Sequence, residues 1–160
     1  MLKISAISFI ILILVDQHYG FQSGAPEDVC LDMTPKHYNA KPQLPPAPYK
    51  ITIDKFSIPE DGTIGVSIGG SEVFRGFLLQ ARDSQQKIVG KFESHSSAKL
   101  LNCLSGTNNA ITHRNATDKF SIVLKWKPAG FKGSANFVAT VLKSAPIFWT
   151  QLKSPQFEVV

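Results

Sequence analysis

The stretch from Lys119 to Lys127 constrains the fold most strongly, because its side chains alternate in polarity from one residue to the next. One parity carries Phe120, Ile122, Leu124 and Trp126. The other carries Lys119, Ser121, Lys125 and Lys127, together with Val123. Alternation of period two predicts a half-buried β-strand whose apolar set faces a core. Pro128 should end this strand, because proline has no backbone N–H to donate to a sheet.

Short alternating or continuously apolar segments recur along the rest of the chain. They occupy residues 51–53, 64–68, 74–81, 87–92, 137–141 and 157–160. Turn-forming residues separate them, as in the runs Pro59-Glu60-Asp61-Gly62 and Pro128-Ala129-Gly130. No segment sustains a helical period. The sequence therefore predicts an all-β fold, an antiparallel β-sandwich over about residues 49–160.

The first 20 residues have the pattern of a secretory signal peptide. Lys3 is followed by a largely apolar run from Ile4 to Val15, which is too short for a membrane-spanning helix of about 20 residues. Cleavage after Gly20 would leave residues 21–160 as one domain, and no later run is apolar enough to predict a membrane span. We therefore expect a secreted, extracellular protein.

A proline-rich arm is predicted between this signal and the sandwich, over about residues 21–48. Its prolines include Pro42, Pro45, Pro46 and Pro48. Closely spaced prolines exclude a helix and favour extended polyproline geometry. Such a segment is either a recognition ligand for another domain or, the favoured interpretation, an arm laid over the sandwich.

Two features fit an extracellular chain. Cys30 and Cys103 are the two cysteines, and in a secreted protein they predict a disulfide with a structural role. Bridging about 70 residues is worth roughly 4 kcal/mol in the chain-entropy model. The run Asn115-Ala116-Thr117 is an N-glycosylation sequon, so we also predict a glycan on Asn115.

No catalytic constellation is evident. Ser96 and Lys99 match an S-x-x-K pattern without the other motifs of that chemistry, and neither a nucleophile elbow nor a phosphate-binding loop is present. His37, His95 and His113 lack helical spacing and cysteine neighbours, so a metal site would require that they meet in space. We predict a binding protein, not an enzyme, with no cofactor or metal.

The net charge of +5 favours anionic partners, although it would also serve solubility alone. The candidate ligand-binding residues are Arg75, Lys119, Lys125, Lys127 and Lys132. Arg82 is a further basic residue beside a predicted core strand. Binding of a neutral glucan would instead need exposed aromatic side chains. Tyr38, Tyr49 and Trp149 are candidates, and the sequence is equally compatible with packing roles for them. No nucleic-acid partner is expected.

An ordered set of short motifs resembles the reeler domain. The set comprises Arg75 to Ala81, Leu101-Asn102-Cys103, Ile111-Thr112-His113, Trp126-Lys127-Pro128, Gly133 to Thr140, and Phe148-Trp149. The resemblance extends from about Gly24 to Val160, and among reeler proteins the chain is most similar to the insect defence-protein (noduler-like) family.

This resemblance implies an immunoglobulin-like sandwich and a role in innate immunity. The implied partners are microbial surface polymers, such as lipopolysaccharide, lipoteichoic acid or glucan, and blood-cell surfaces. The implied consequence of binding is an antimicrobial or blood-cell aggregation response. The alternative implied by reeler domains in adhesive proteins is an extracellular-matrix or cell-adhesion module that recognises sulfated glycans.

Overall fold

The computed structural model describes residues 22–37 and 40–160, so the predicted signal peptide and Tyr38 lie outside the described residues. A short 3₁₀ helix, Glu27–Val29, is followed by ten strands. The strands are β1 (Tyr49–Ile53), β2 (Ser57–Ile58), β3 (Ile64–Phe74), β4 (Gly76–Asp83), β5 (Lys91–Phe92), β6 (Ala98–Leu101), β7 (Ala110–His113), β8 (Lys119–Lys127), β9 (Gly133–Ser144) and β10 (Ile147–Val159).

Two sheets form the predicted sandwich. The four-stranded sheet has the order β1-β3-β8-β5, and the six-stranded sheet has the order β2-β10-β9-β4-β7-β6. Neighbouring named strands pair antiparallel except β2 and β10, which pair in parallel through Ser57 and Ile58. The prediction of an all-β sandwich is confirmed.

Strand β8 has the predicted extent and ends before Pro128. Ile122, Leu124 and Trp126 are buried as predicted, whereas Phe120 is 77% exposed, so its assignment to the core was wrong. The cause lies in the pairing with β3, which shifts between Gly69 and Phe74. Phe120 falls at this irregularity, where the regular pairing over the core has ended.

Several strands are longer than predicted or were missed. β3 continues through Gly70, where a Cβ would lie 1.9 Å from the carbonyl oxygen of Pro48, so glycine allows this close approach. β10 begins ten residues before Phe157, and β-bulges interrupt it on either side of Lys153. β2, β6 and β7 are too short for a periodic pattern to reveal.

Aromatic rings fill the space between the sheets. Trp126 makes edge contacts with Phe137 and Phe157, at ring-centroid distances of 5.7 and 5.1 Å. Its indole Nε1 donates to the carbonyl oxygen of Val89 (3.1 Å). The next residue, Gly90, has φ of +70°, and a Cβ there would lie 2.1 Å from the indole. Glycine therefore lets the loop close over the tryptophan.

The arm covers the outer face of the six-stranded sheet, as the favoured interpretation predicted. Val29 and Met33 join a second apolar cluster with Leu78 and Val138, apart from the main core. Cys30 and Cys103 form the predicted disulfide, with Cα atoms 5.5 Å apart. Strand β4 is consequently buried on both faces.

Candidate functional site

Four exposed lysines share the outer face of the four-stranded sheet, and we call them the lysine face: Lys50, Lys91, Lys125 and Lys127. Lys125 and Lys127 project from β8 on the side opposite the buried Trp126. Lys91 on β5 pairs with Lys127. Lys50 on β1 pairs with Gly69 on β3, and Gly69 pairs in turn with β8. Sequence reasoning missed Lys50 and Lys91, although Lys50 alternates with Tyr49 and Ile51 and would have been found by parity.

The floor between these lysines is formed by small residues. Strand β3 presents Gly65, Ser67 and Gly69 at its outward positions. The carboxylate of Asp54 lies over Gly65 and accepts a hydrogen bond from its backbone N–H (2.8 Å). Val123 lies opposite Ser67 and is exposed. An extended polymer therefore meets small side chains over Ser67 and Gly69, and the Asp54 carboxylate over Gly65.

Two carboxylates lie on or beside the lysine face: that of Asp54, over Gly65, and that of Glu93. Lys127 forms a salt bridge with Glu93 (Nζ to Oε1, 2.8 Å), and this hydrogen bond holds the pKa of Glu93 below its ordinary value. Lys50, Lys91 and Lys125 form no salt bridge with any described residue. Because exposed pairs contribute little, the Glu93 contact leaves Lys127 available to a competing anion.

The structure does not bring the five predicted binding residues together. Arg75, between β3 and β4, pairs with Asp118 (2.7 Å). Lys132, in the loop after β8, pairs with Glu60 (2.6 Å). Only Lys125 and Lys127, of the predicted five, project from the lysine face.

Lys119 has a structural role at the start of β8. Its Nζ donates to the carbonyl oxygens of Arg75, Asn115 and Thr117, at 3.1, 2.9 and 2.8 Å. Burial lowers its pKa, with Asp118 opposing that shift. This lysine joins two loops and is less accessible to a polymer than Lys125.

Arg82 was expected to contribute to a basic surface, and the structure places it under the arm with 6% exposure. Its guanidinium donates to the carbonyl oxygens of Cys30 and Leu31 (2.9 Å each) and to Oε1 of Gln80 (2.7 Å). Burial lowers its pKa. Arg82 thus fixes the arm to the sheet beside the disulfide.

Of the aromatic candidates for glucan binding, Tyr49 and Trp149 lie within the described residues and are engaged in packing. Tyr49 is 3% exposed, contacts the rings of Phe74 and Trp149, and donates its hydroxyl to the carbonyl oxygen of Val73 (2.9 Å). The exposed aromatic side chains in the described part of the chain include Phe56 and Phe120, which sequence reasoning did not select for a surface role.

The predicted glycosylation site lies in the exposed loop between β7 and β8. Thr117 donates its hydroxyl to Oδ1 of Asn115 (2.6 Å). Both residues border a shallow depression shared with His95 and Phe120. This location is accessible to modification, and a glycan on Asn115 stays a prediction.

A second concave feature lies beneath the arm. It is a cleft of about 250 Å³ whose walls come from the arm and from the outer face of the six-stranded sheet. His37 and His113 line it, whereas His95 lies in the depression near Asn115. Within residues 22–37 and 40–160, no group of three or more histidine, cysteine, aspartate or glutamate side chains is placed to hold a metal ion.

A family model described as the reeler domain matches residues 28–160. The chain therefore belongs to the reeler-domain family, as its ordered motifs predicted. The crystal structure of the Reelin-N domain of F-spondin superposes with a TM-score of 0.63 at 14% identity, covering 83% of this chain and 96% of that one. At this identity the likeness concerns the fold alone.

Relatives similar to this chain carry names that refer to defence. "Putative defense protein Hdd11" of Hyphantria cunea is 39% identical over 151 residues, which cover 88% of this chain and 90% of the relative. "Defense protein l(2)34Fc" of Drosophila melanogaster is 36% identical over 137 residues, with 82% and 84% covered. In the described ranges, no helix has the length and apolar character needed to cross a membrane.

Proposed function

We propose that this protein is a secreted innate-immune defence protein that binds anionic polymers of microbial surfaces through the lysine face. The observation that carries the proposal is the set of four exposed lysines on one sheet face, where they outnumber the carboxylates of Asp54 and Glu93. The names of the relatives support the defence role, and the net charge of +5 supports an anionic partner. Polymers with repeated phosphates, such as lipoteichoic acid or the lipid A region of lipopolysaccharide, have the required chemistry.

The spacing of the lysines suits a repeating anion. The four lysines are distributed over β1, β8 and β5 of a four-strand sheet, and adjacent strands lie about 4.8 Å apart. Lys125 and Lys127, two residues apart on one strand, are separated by roughly 7 Å along it. Long, mobile lysine side chains adapt to phosphates at this range, and their attraction weakens as salt screens it.

A charge-matched pair of variants tests the proposal. The triple change Lys50→Gln, Lys91→Gln and Lys125→Gln removes charge from the lysine face. The control triple Lys87→Gln, Lys99→Gln and Lys153→Gln removes the same charge from exposed positions outside that face. Near an anionic surface each lysine contributes about 1 kcal/mol, so the face variant should lose roughly 100-fold in affinity at low salt.

The measurement is binding of each secreted protein to immobilised lipoteichoic acid, lipopolysaccharide, β-glucan and heparin at two salt concentrations. We expect the face variant alone to lose binding to the two bacterial polymers, and the salt dependence to flatten with it. Equal losses in the control triple would show that net charge, and not this face, drives binding. Tighter retention on heparin than on every microbial polymer would favour the matrix-module alternative.

A further inference from the structure

The arm does not lie flush on the six-stranded sheet, and the gap beneath it forms the cleft of about 250 Å³. Its inner walls are apolar. They are formed by Pro26, Val29, Met33 and Pro35 of the arm and by Leu78 and Leu142 of the sheet. The volume lies just below the range of roughly 300–1,000 Å³ typical of small-ligand sites, so the cleft suits a compact ligand or one hydrocarbon chain.

Polar groups on the inner walls are already engaged within the protein. Thr140 donates its hydroxyl to the carbonyl oxygen of Met33 (2.5 Å). The backbone N–H of Phe77 donates to Nδ1 of His113 (3.2 Å). A polar ligand group placed here would lose water without gaining new partners, at a cost in binding free energy. The part of a ligand that enters the cleft should therefore be apolar.

The mouth of the cleft carries two basic side chains, each paired with a carboxylate. Lys36 and Arg75 line it, and their partners are the exposed carboxylates of Asp28 and Asp118, at 2.8 and 2.7 Å. Asp28 raises the pKa of Lys36 and so favours its charged form. Exposed salt bridges of this kind are weak, so the carboxylate of a ligand can replace Asp28 or Asp118 at little cost.

We propose that the cleft binds one medium-chain fatty acid, with the hydrocarbon chain beneath the arm and the carboxylate at Lys36 and Arg75. A volume of about 250 Å³ equals that of roughly eight water molecules. One methylene group occupies about as much space as one water molecule, so a chain of about eight to ten carbons fits. Each methylene that becomes buried should raise affinity by up to about fourfold. This site is separate from the lysine face and does not depend on the function proposed for it.

The test uses the delipidated, secreted protein and titration calorimetry with hexanoate, octanoate, decanoate and the neutral analogue octanol. We expect one saturable site, affinity that rises with chain length up to eight to ten carbons, and weaker binding of octanol. Ala145→Trp, in the turn between β9 and β10, places a large ring at the mouth and should lower affinity at least tenfold. Lys36→Gln with Arg75→Gln should weaken octanoate by roughly fivefold and leave octanol unchanged.

Two controls separate this site from the lysine face and from misfolding. Lys125→Gln should leave octanoate binding unchanged while it weakens binding of lipoteichoic acid. Ala116→Trp, at an exposed position that also lines the cleft, provides a second obstruction if Ala145→Trp fails to fold. Absence of saturable binding, affinity independent of chain length, equal binding of octanol, or full affinity in a folded obstructed variant would each overturn the proposal.

Discussion

Replacing Trp126 by alanine tests whether the alternation in β8 separates the core from the lysine face. Trp126 is fully buried, and its ring contacts Phe137 and Phe157 edge-on. Its Nε1 also supplies the hydrogen bond to the carbonyl oxygen of Val89. The alanine variant therefore loses packing on one side and a buried hydrogen bond on the other.

The expected cost has two parts. Truncation of a buried tryptophan to alanine costs roughly 3–5 kcal/mol in a core that cannot fully collapse. Leaving the Val89 carbonyl oxygen without its donor adds about 1–3 kcal/mol unless water reaches it. The sum, roughly 4–8 kcal/mol, is comparable with the total stability of about 5–15 kcal/mol for such domains. We therefore expect both the free energy of unfolding and the yield of folded protein to fall sharply.

The assay is urea unfolding of the purified protein, followed by tryptophan fluorescence and far-UV circular dichroism. Trp126→Phe keeps a ring but removes both the hydrogen bond and the part of the indole that lies against Gly90, so its cost should fall between about 1–3 kcal/mol and that of the alanine variant. Lys125→Ala with Lys127→Ala changes the opposite face and should stay within roughly 1 kcal/mol of the unchanged protein. A cost below about 1 kcal/mol for Trp126→Ala, or a larger cost for the lysine pair, would refute the division of β8 into core and surface.

Two further predictions concern the arm and the lysine face. Arg82→Ala leaves the Leu31 carbonyl oxygen without the donor it has in the structure, so the free energy of unfolding should fall by about 1–3 kcal/mol. Trypsin should also cleave faster after Lys36, which gel electrophoresis under reducing conditions would measure. Unchanged cleavage would contradict the role of Arg82 in fixing the arm. Lys127→Gln should raise the pKa of Glu93 towards its ordinary value, measured by NMR titration. The pKa of Glu93 is depressed in the folded state. Its small contribution to stability is therefore present above the unfolded-state pKa and is lost as pH falls through the folded-state pKa. An unchanged Glu93 titration in Lys127→Gln would show that the salt bridge does not form in solution.

The elements that could be predicted from sequence are those whose pattern depends on local geometry. Strand β8 from Ser121 onward and the first half of β3 keep strict alternation, so the inward faces of these segments followed from parity. The first half of β10 could not be found this way, because its β-bulges break the alternation and Pro155 lies within the strand. The burial of Phe120 was wrongly predicted because the irregularity that exposes it lies in the partner strand.

In the candidate sites, too, features set by local sequence could be predicted and features set by distant contacts could not. The outward direction of Lys125 and Lys127 depends on their own strand and was correctly predicted. The burial of Arg82 depends on carbonyl oxygens more than 50 residues away in sequence, which no local pattern reveals. The cleft likewise exists only where the arm meets the sheet, so its lining residues could not have been grouped from sequence.

The position of the arm explains why the polymer-binding face is expected on the four-stranded sheet. Strand β4 directs Leu78, Gln80 and Arg82 away from the main core, and the arm buries all three. Strand β3 directs Gly65 and Ser67 outward from the other sheet, where little apolar area requires cover. An arm bonded through Cys30 to the six-stranded sheet therefore leaves the lysine face open to solvent, and a large polymer can reach it without displacing any part of the fold.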